Sequence, residues 1–256
     1  MTLELNNIVV SQGRKTILQG VSTRPFDQGQ FIALLGPNGA GKSTLLRAVS
    51  QSLPYQGSAI LNGADLAHMA QSQRSDLVGY LPQNLQSQTD LTVLEALLVA
   101  MHAGGGTRPT TAQKLTRIEG LLERFSITHL TERPLSSLSG GQRQTVGLAQ
   151  SLARDPTLLL LDEPTAALDL AMQFRILSEL HLLAREGRIV IAVLHDLSLA
   201  ARWADQIVLL QAGRIHGQGS PKEMLTPETL ATVYGISARV EHDSMGNLIT
   251  VVDGLA

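Results

Sequence analysis

The sequence contains no cysteine and few aromatic residues. Its 256 residues include four phenylalanines, three tyrosines and one tryptophan. The absence of cysteine excludes disulfide bonds and thiolate metal sites, and it fits a reducing compartment. The scarcity of aromatic rings disfavours a stacking platform for single-stranded nucleic acid.

Long apolar runs and an excess of charge of one sign are also missing. No apolar stretch approaches the roughly 18 residues of a membrane-spanning helix. The first residues lack the basic-then-apolar pattern of a signal peptide. The formal net charge is -2, so bulk electrostatics indicate no nucleic-acid partner. The length allows a substantial core in one large domain or two small ones.

A glycine-rich stretch follows the apolar run Phe31–Leu35 and precedes the helix-like segment Leu45–Val49. It consists of Gly36, Pro37, Asn38, Gly39, Ala40, Gly41, Lys42, Ser43 and Thr44. This is the motif G-x-x-x-x-G-K-[ST], whose glycines let backbone N–H groups surround a phosphate. We expect Lys42 to reach the β- and γ-phosphates and Ser43 to hold Mg²⁺. The alternative interpretation is a chance glycine-rich turn.

Two adjacent carboxylates, Asp162 and Glu163, follow the apolar run Leu158–Leu161. If this run is a strand of a parallel sheet, Asp162 emerges beside the phosphate loop, where it can hold Mg²⁺. Glu163 points elsewhere and can accept a proton from a water that attacks the γ-phosphate. The alternative is a capping pair ahead of Pro164.

The order of the predicted elements indicates an α/β fold. Strands over 3–10 and 17–24 predict an antiparallel piece ahead of the phosphate loop. Helical periodicity covers 92–153, including a helix over 115–125 and a break at 104–109. Strand signals alternate with helices after residue 157, which favours a parallel sheet. We therefore predict a P-loop (RecA-like) parallel-sheet core with an N-terminal antiparallel β subdomain and an inserted α-helical subdomain.

The expected domain organisation is a single unit over 1–256. Its core covers about 1–87 and 154–225, its helical subdomain about 88–153, and a small C-terminal extension about 226–256. We find no internal repeat.

A second glycine motif, Leu138-Ser139-Gly140-Gly141-Gln142, precedes a helix-like run that extends to Ala153. Ser139 can cap this helix. The alternative to a simple cap is a second phosphate-facing helix N-terminus. One nucleotide site does not need two such termini, so the second would serve the nucleotide of another subunit.

With these motifs the sequence resembles the ATP-binding cassette (ABC) ATPase family across nearly its whole length. Leu138–Gln142 matches the signature motif of that family. The resemblance implies ATP and Mg²⁺ as cofactors. It also implies a head-to-tail dimer of two copies, in which each ATP lies between one phosphate loop and the opposing Ser139, Gly140, Gly141 and Gln142.

The resemblance also implies further site residues. Gln83 looks like the Q-loop glutamine, which contacts Mg²⁺ or water and signals to a membrane partner. Asp169, in Ala167-Leu168-Asp169, looks like the D-loop aspartate. His195 looks like the switch histidine at the γ-phosphate, and Glu163 looks like the catalytic base. Magnesium contacts are then expected from Ser43, Gln83 and Asp162.

One position departs from the family pattern. The family usually places an aromatic residue in the early turn, where it stacks on adenine, whereas this sequence has Gln12 there. With Val10 as a neighbour, the packing on adenine is expected to be aliphatic or polar.

Within the family, the sequence resembles the ATPases of iron-siderophore, haem and cobalamin importers. The supporting stretches are His195–Arg202, Gly219–Glu223 and Leu225–Gly235. The alternative for the last stretch is a short helix and hairpin that pack on the core. The expected partners are separate transmembrane permease subunits and, indirectly, a periplasmic or lipoprotein solute-binding protein. The expected location is the cytoplasmic face of the inner membrane, as a peripheral subunit.

Other functions stay open. An importer of an amino acid or another small solute would look much the same. An exporter is a further alternative, although exporters often fuse the cassette to the membrane domain. A soluble ABC ATPase of DNA repair or translation is disfavoured because the chain has neither a long coiled-coil insert nor a second cassette. A non-hydrolysing binding module is disfavoured because Glu163 and His195 are both present.

Overall fold

The computed structural model describes residues 1–85, 90–102, 110–166 and 168–256. The predicted break at 104–109 and Ala167 of the predicted D-loop lie outside these residues. No helix in the described ranges is long and apolar enough to cross a membrane.

The chain alternates between strands and helices after an all-strand beginning. The strands are β1 (Thr2–Gln12), β2 (Lys15–Val21), β3 (Phe26–Asp27), β4 (Phe31–Leu35), β5 (Gln56–Leu61), β6 (Ala64–Asp65), β7 (Val78–Leu81), β8 (Leu158–Leu161), β9 (Ile189–Val193), β10 (Gln206–Gln211), β11 (Arg214–Gly219), β12 (Ile236–His242) and β13 (Leu248–Leu255). The helices are α1 (Lys42–Val49), α2 (Gln71–Leu77), α3 (Val93–His102), α4 (Thr111–Arg124), α5 (Gly140–Leu152), α6 (Leu170–Arg185), α7 (Leu197–Trp203), α8 (Pro221–Met224) and α9 (Pro227–Tyr234).

The central sheet has the strand order β11-β10-β4-β9-β8-β7. All neighbouring pairs are parallel except β10 with β11, which is antiparallel. Every residue of β4, β8 and β9 is buried, as expected for strands covered on both faces. Because the parallel strands run the same way, the residues that follow β4, β7, β8 and β9 meet at one edge of the sheet. This edge carries the candidate site.

The second sheet is antiparallel and contains β1, β2, β3, β5 and β6. Its apolar residues join α1 and one face of the central sheet in one hydrophobic core. The other face of the central sheet packs in a second core with helices α3 to α7. The α/β fold, the antiparallel piece and the parallel sheet predicted from the sequence are confirmed.

Two predicted element boundaries were wrong for local reasons. The second strand ends at Val21 rather than residue 24, because the Asn7 amide of β1 donates to the Ser22 hydroxyl instead of to a main-chain carbonyl. The helix predicted from residue 115 begins at Thr111, because Thr110 and Gln113 form a reciprocal capping box ahead of it.

Residues 226–256, named here the C-terminal module, consist of α9 and the antiparallel hairpin β12–β13. Thr226 caps α9, and Gly235 ends it in the left-handed conformation. The hairpin contacts α7, and β12 contacts α9. The short helix and hairpin considered in the sequence are therefore present and pack on the central domain.

Candidate functional site

The phosphate loop connects β4 to α1 and is closed by its own lysine. The ammonium group of Lys42 donates to the carbonyl oxygens of Gly36 at 2.7 Å and Pro37 at 3.1 Å. Gly41 is the N-cap of α1, with φ 105° and no side-chain cap. The free N–H groups of this helix end therefore face the loop, where they can receive an anion. Lys42 is only 6% exposed, and burial lowers its pKa, partly opposed by the charges of Glu163 and Asp162.

Ser43 and Asp162 form a pair of oxygen groups beside this loop. The Ser43 hydroxyl donates to Asp162 Oδ1 at 2.9 Å. Asp162 directly follows β8 and is 2% exposed. Burial raises its pKa, while the Ser43 hydrogen bond opposes this effect. A hydroxyl and a carboxylate at this distance suit a small, hard cation such as Mg²⁺, which prefers a few protein oxygens together with phosphate and water.

Glu163 lies at the centre of the site. Its Oε1 accepts a hydrogen bond from Gln83 Nε2 at 2.8 Å and lies 2.8 Å from His195 Nε2. Its backbone has φ 55°, the left-handed region that a non-glycine residue seldom adopts. Such strain is typical of functional positions. The side chain is partly accessible, with 19% of its surface exposed.

His195 follows β9, and Asp196 caps the next helix, α7, by accepting from the Leu199 amide. The structure thus brings together residues from the ends of β4, β7, β8 and β9. The side chain of His195 is 48% exposed, so it is available to a ligand.

The second glycine motif does not join this cluster. The Ser139 hydroxyl accepts from the Gln142 amide, and the Gln142 side chain accepts from the Ser139 amide. Within the described part of the chain, the side-chain hydrogen bonds of Ser139 and Gln142 stay inside this capping box. Gly140 and Gly141 form the first turn of α5, and the N-terminus of that helix is exposed.

Asp169 acts as a helix cap in the structure. Its side chain accepts from the Met172 amide at 2.8 Å and begins α6.

Of the two residues expected near adenine, Gln12 and Val10, the structure leaves only Gln12 at the surface. Gln12 pairs with Lys15 at the exposed β1–β2 turn. Val10 is 1% exposed and belongs to the core between the two sheets. The side chain of Val10 is therefore not available to a base, because it points into the core from β1.

Two residues near the site were not singled out from the sequence. Gln144 Nε2 donates to the backbone carbonyl of Glu163 at 3.0 Å, which supports its strained backbone. Burial and the charge of Asp162 raise the pKa of Tyr80 to about 12. Gln144 could have been noticed in the sequence because it is a polar residue on the buried face of α5. Tyr80 could have been noticed because it lies three residues before Gln83 in the sequence.

The parallel sheet carries a glycine-rich loop, the lysine of that loop and a strand-end carboxylate at one edge. This combination defines the P-loop nucleotide-binding class. The family model described as ABC transporter matches residues 18–166. The chain belongs to the ABC transporter family.

Several curated relatives are similar over nearly the whole chain. The ferric enterobactin transport ATP-binding protein of Escherichia coli is 36% identical, with 96% of this chain and 91% of the relative covered. The hemin import ATP-binding protein of Pseudomonas aeruginosa is 38% identical, with 97% and 99% covered. The cobalamin import ATP-binding protein of Halobacterium salinarum is 36% identical over 98% of this chain, which spans 63% of that relative.

Solved structures of the family share the fold. A chain from an inward-facing ABC transporter of proposed metal-chelate type has a TM-score of 0.80 and 28% identity, covering all of this chain and 98% of its own length. A dimeric ATP-binding cassette in a post-hydrolysis state, bound to ADP and phosphate, has a TM-score of 0.74 and 26% identity. The alignment covers 86% of this chain and 98% of that one.

Proposed function

We propose that this chain is the ATP-hydrolysing subunit of an importer, and that it energises the uptake of an iron chelate, haem or cobalamin through a separate permease. The observation that carries the proposal is the meeting of Lys42, Ser43, Asp162, Glu163 and His195 at one sheet edge. The cargo class is supported by relatives that serve ferric enterobactin, hemin and cobalamin transport. An importer of another small solute is the alternative.

Binding of the triphosphate would use the helix end and the lysine of the phosphate loop. Lys42 would exchange its bonds to loop carbonyls for the β- and γ-phosphates, and the N–H groups at the start of α1 would face the same anion. Ser43, Asp162 and Gln83 would hold Mg²⁺, which when bound supplies positive charge to the phosphates. Asn38, Gly39, Ala40, Gly41 and Thr44 complete the proposed loop.

Hydrolysis requires an oriented water and an acceptor for its proton. Glu163 is placed to accept that proton because its carboxylate is partly accessible and lies near the lysine of the phosphate loop, where the γ-phosphate would bind. Gln83 Nε2 and His195 Nε2 both contact Glu163 Oε1, each at 2.8 Å. We infer that a γ-phosphate draws His195 away and frees the carboxylate for the water.

The active assembly would be a dimer of two copies. The exposed N-terminus of α5 hydrogen-bonds within its own capping box, so its remaining N–H groups are available to a nucleotide on a second copy. Asp169 would lie near the same contact between the two copies. The dimeric cassette among the similar structures supports this arrangement.

A groove beside Gln83 supports a membrane partner. Two cavities of about 240 and 310 Å³ share Leu85 and Gln150 in their walls. Val99 lines the first cavity and is 58% exposed. We propose that a cytoplasmic segment of the permease docks there, next to the helical subdomain at about 88–153, which would hold this chain at the inner face of the membrane.

The test is steady-state phosphate release by the purified chain with Mg²⁺ and ATP. Glu163→Gln keeps the shape of the side chain but cannot accept the proton, so turnover should fall at least about 100-fold, the usual contribution of a general base. ATP binding, measured by calorimetry, should persist. The exposed Glu119 on α4 provides the control Glu119→Gln, expected to retain full turnover. Wild-type turnover in Glu163→Gln would contradict the proposal.

A further inference from the structure

The two-residue turn between β10 and β11, formed by Ala212 and Gly213, lies beside the phosphate loop. Its φ angles are 46° and 77°, as in the tight hairpin turns that match the twist of antiparallel strands. The strand ahead of the turn also lies against the loop, because a Cβ on Gly36 would overlap the carbonyl oxygen of Leu210. The end of the β10–β11 hairpin therefore supports the loop from outside.

The turn holds one peptide group of the phosphate loop. The Gly213 amide donates to the Ala40 carbonyl at 2.9 Å, and Ala40 is 2% exposed. Because a trans peptide is planar, its N–H points opposite to its carbonyl, so this bond fixes the direction of the Gly41 N–H away from the turn. Gly41 is the N-cap of α1, at the helix end proposed to receive the phosphates. The position of the turn thus sets the direction of one N–H group of that end.

Strand β2 holds the turn from the other side through Gln19. The Gln19 amide donates to the Gly213 carbonyl at 2.9 Å. Its side-chain Nε2 donates to the Ala212 carbonyl at 3.0 Å, and its Oε1 accepts from Arg214 Nη2 at 3.0 Å. Because β2 belongs to the antiparallel sheet and the turn to the central sheet, Gln19 joins the two sheets next to the phosphate loop.

There is little space between β2, the turn and the start of α1. A Cβ on Gly213 would overlap the carbonyl oxygen of Ile17, and a Cβ on Gly41 would lie 2.8 Å from Leu18 Cδ2. The turn has no room to move toward β2, so a loss of its bonds to Gln19 allows movement only away from β2. Such a movement would also displace the donor to the Ala40 carbonyl.

We propose that Gln19 positions the phosphate loop through the β10–β11 turn, and that it thereby sets the affinity of the site for nucleotide. A continuous series of hydrogen bonds runs from Gln19 to Gly213 and from Gly213 to Ala40. Gln19 is a positioning residue, since its side chain bonds the turn and the start of β11 and not the loop itself. The inference rests on the proposed ATPase function.

The first test substitutes Gln19→Leu, which keeps the approximate size of the side chain and removes its two hydrogen bonds. Gln19 is exposed, so the variant is expected to fold. The dissociation constant for Mg-ADP, measured by calorimetry, should rise about 2- to 12-fold, as expected for the loss of an ordinary hydrogen bond. The kcat at saturating ATP should stay within about twofold, because the groups proposed for hydrolysis are unchanged.

Gln218→Leu is the matched control, because Gln218 also joins the two sheets. Its side chain accepts from the Arg24 amide at 2.8 Å and donates to the Arg24 carbonyl at 3.1 Å, four residues farther along β11 than Arg214. The control should lower the unfolding temperature comparably to Gln19→Leu, while its dissociation constant for Mg-ADP stays unchanged. A purely structural role of Gln19 would give the two variants the same affinity.

The second test substitutes Gly213→Ala, which forces the turn away from β2. Gly63→Ala is its control, because Gly63 has φ +80° in the two-residue turn between β5 and β6 and a Cβ there would have no neighbour within 4 Å. Both variants carry the same kind of backbone strain, but only the first displaces a contact of the phosphate loop. Gly213→Ala should weaken Mg-ADP binding at least about twofold, and Gly63→Ala should leave it unchanged.

The outcomes separate this inference from the proposed function. If the unsubstituted chain binds nucleotide but does not hydrolyse ATP, the proposed function fails and the affinities still test the role of Gln19. If Gln19→Leu and Gly213→Ala bind Mg-ADP as their controls do, or if Gln19→Leu lowers kcat instead of affinity, the positioning role is overturned. Weaker binding in both variants, with normal affinity in both controls, supports it.

Discussion

Asp162 combines burial with negative charge, a combination that costs stability unless a cation is present. It is 2% exposed, and its pKa is raised chiefly by burial. Among the described residues, the Ser43 hydroxyl is the one side chain that donates to it. The residue proposed to hold magnesium is therefore also a source of instability in the folded chain, as is common where function and stability conflict.

We predict that Asp162→Asn raises the unfolding temperature of the nucleotide-free chain at pH 8. The amide oxygen still accepts from Ser43 but carries no charge. A gain of about 1 kcal/mol corresponds to about 2–4 °C for a chain of this size. Because the pKa in the folded state is raised, the cost of the carboxylate is absent below its ordinary pKa near 4 and grows as the pH rises through the raised value. The gain should therefore shrink in melts at pH 5.

Differential scanning calorimetry measures this effect. Asp27→Asn, at an exposed position of β3, is the control and should leave the unfolding temperature nearly unchanged. A lower unfolding temperature for Asp162→Asn at pH 8 would show that the charge stabilises the empty site.

At the scale of elements, α4 and α6 are joined by an arginine with two partners. Arg124 Nε lies 2.8 Å from Glu179 Oε2, and its Nη2 lies 2.8 Å from Glu186 Oε1. Glu186 also pairs with Arg188, which in turn pairs with Asp155 at the start of the β8 region. This network links the helices that follow β7 to the central sheet. The Arg124–Glu179 pair is largely shielded from solvent, with 25% and 20% of the two side chains exposed, so it is worth more than an isolated surface pair.

Arg124→Lys should destabilise the chain by about 1–2 kcal/mol, because a lysine keeps the charge but cannot bond two carboxylates in the fixed fork geometry. Urea denaturation measures the loss. Arg239→Lys on the hairpin is the comparison, since Arg239 is 59% exposed and its ion pair with Asp253 should contribute little. Equal losses for both variants would remove the special role of the network.

Whether a feature could be predicted from the sequence depends on whether it is set by neighbouring residues or by contacts between distant parts of the chain. Continuous apolar runs such as Leu158–Leu161 are long enough to identify buried strands, and the strand ends then place Asp162 at one edge. The contact of Gln144 with Glu163 could not be predicted, because it joins elements that are apart in the chain. Val10 was misassigned because the side of β1 that faces the core depends on how the two sheets pack.

At the scale of the whole molecule, one chain supplies the two unlike surfaces that the proposed ATP sandwich requires. The first is the loop and carboxylate cluster, and the second is the exposed start of α5. Since the second surface makes no side-chain hydrogen bond to the first among the described residues, the proposed assembly needs two copies to complete each site.

Ser139→Arg should prevent ATP-driven dimerisation, because a bulky cation replaces a small hydroxyl at the proposed contact. The experiment uses light scattering with ATP in the Glu163→Gln background, in which hydrolysis would not dissolve the dimer. Binding of ATP to the monomer should stay nearly unchanged. Ser52→Arg, at an exposed position after α1, is the control and should still dimerise. Dimerisation of Ser139→Arg at wild-type concentration would exclude the sandwich arrangement.

The bonds from Lys42 to the Gly36 and Pro37 carbonyls have a thermodynamic consequence for each catalytic cycle. Both bonds lie within the chain, so the entropy of ordering the loop backbone is lost once, when the chain folds. Each incoming triphosphate then meets a cradle of nearly final shape, and its binding free energy is not reduced by that ordering. The entropy of ordering the loop is therefore lost once for each folded molecule and is not lost again at every turnover.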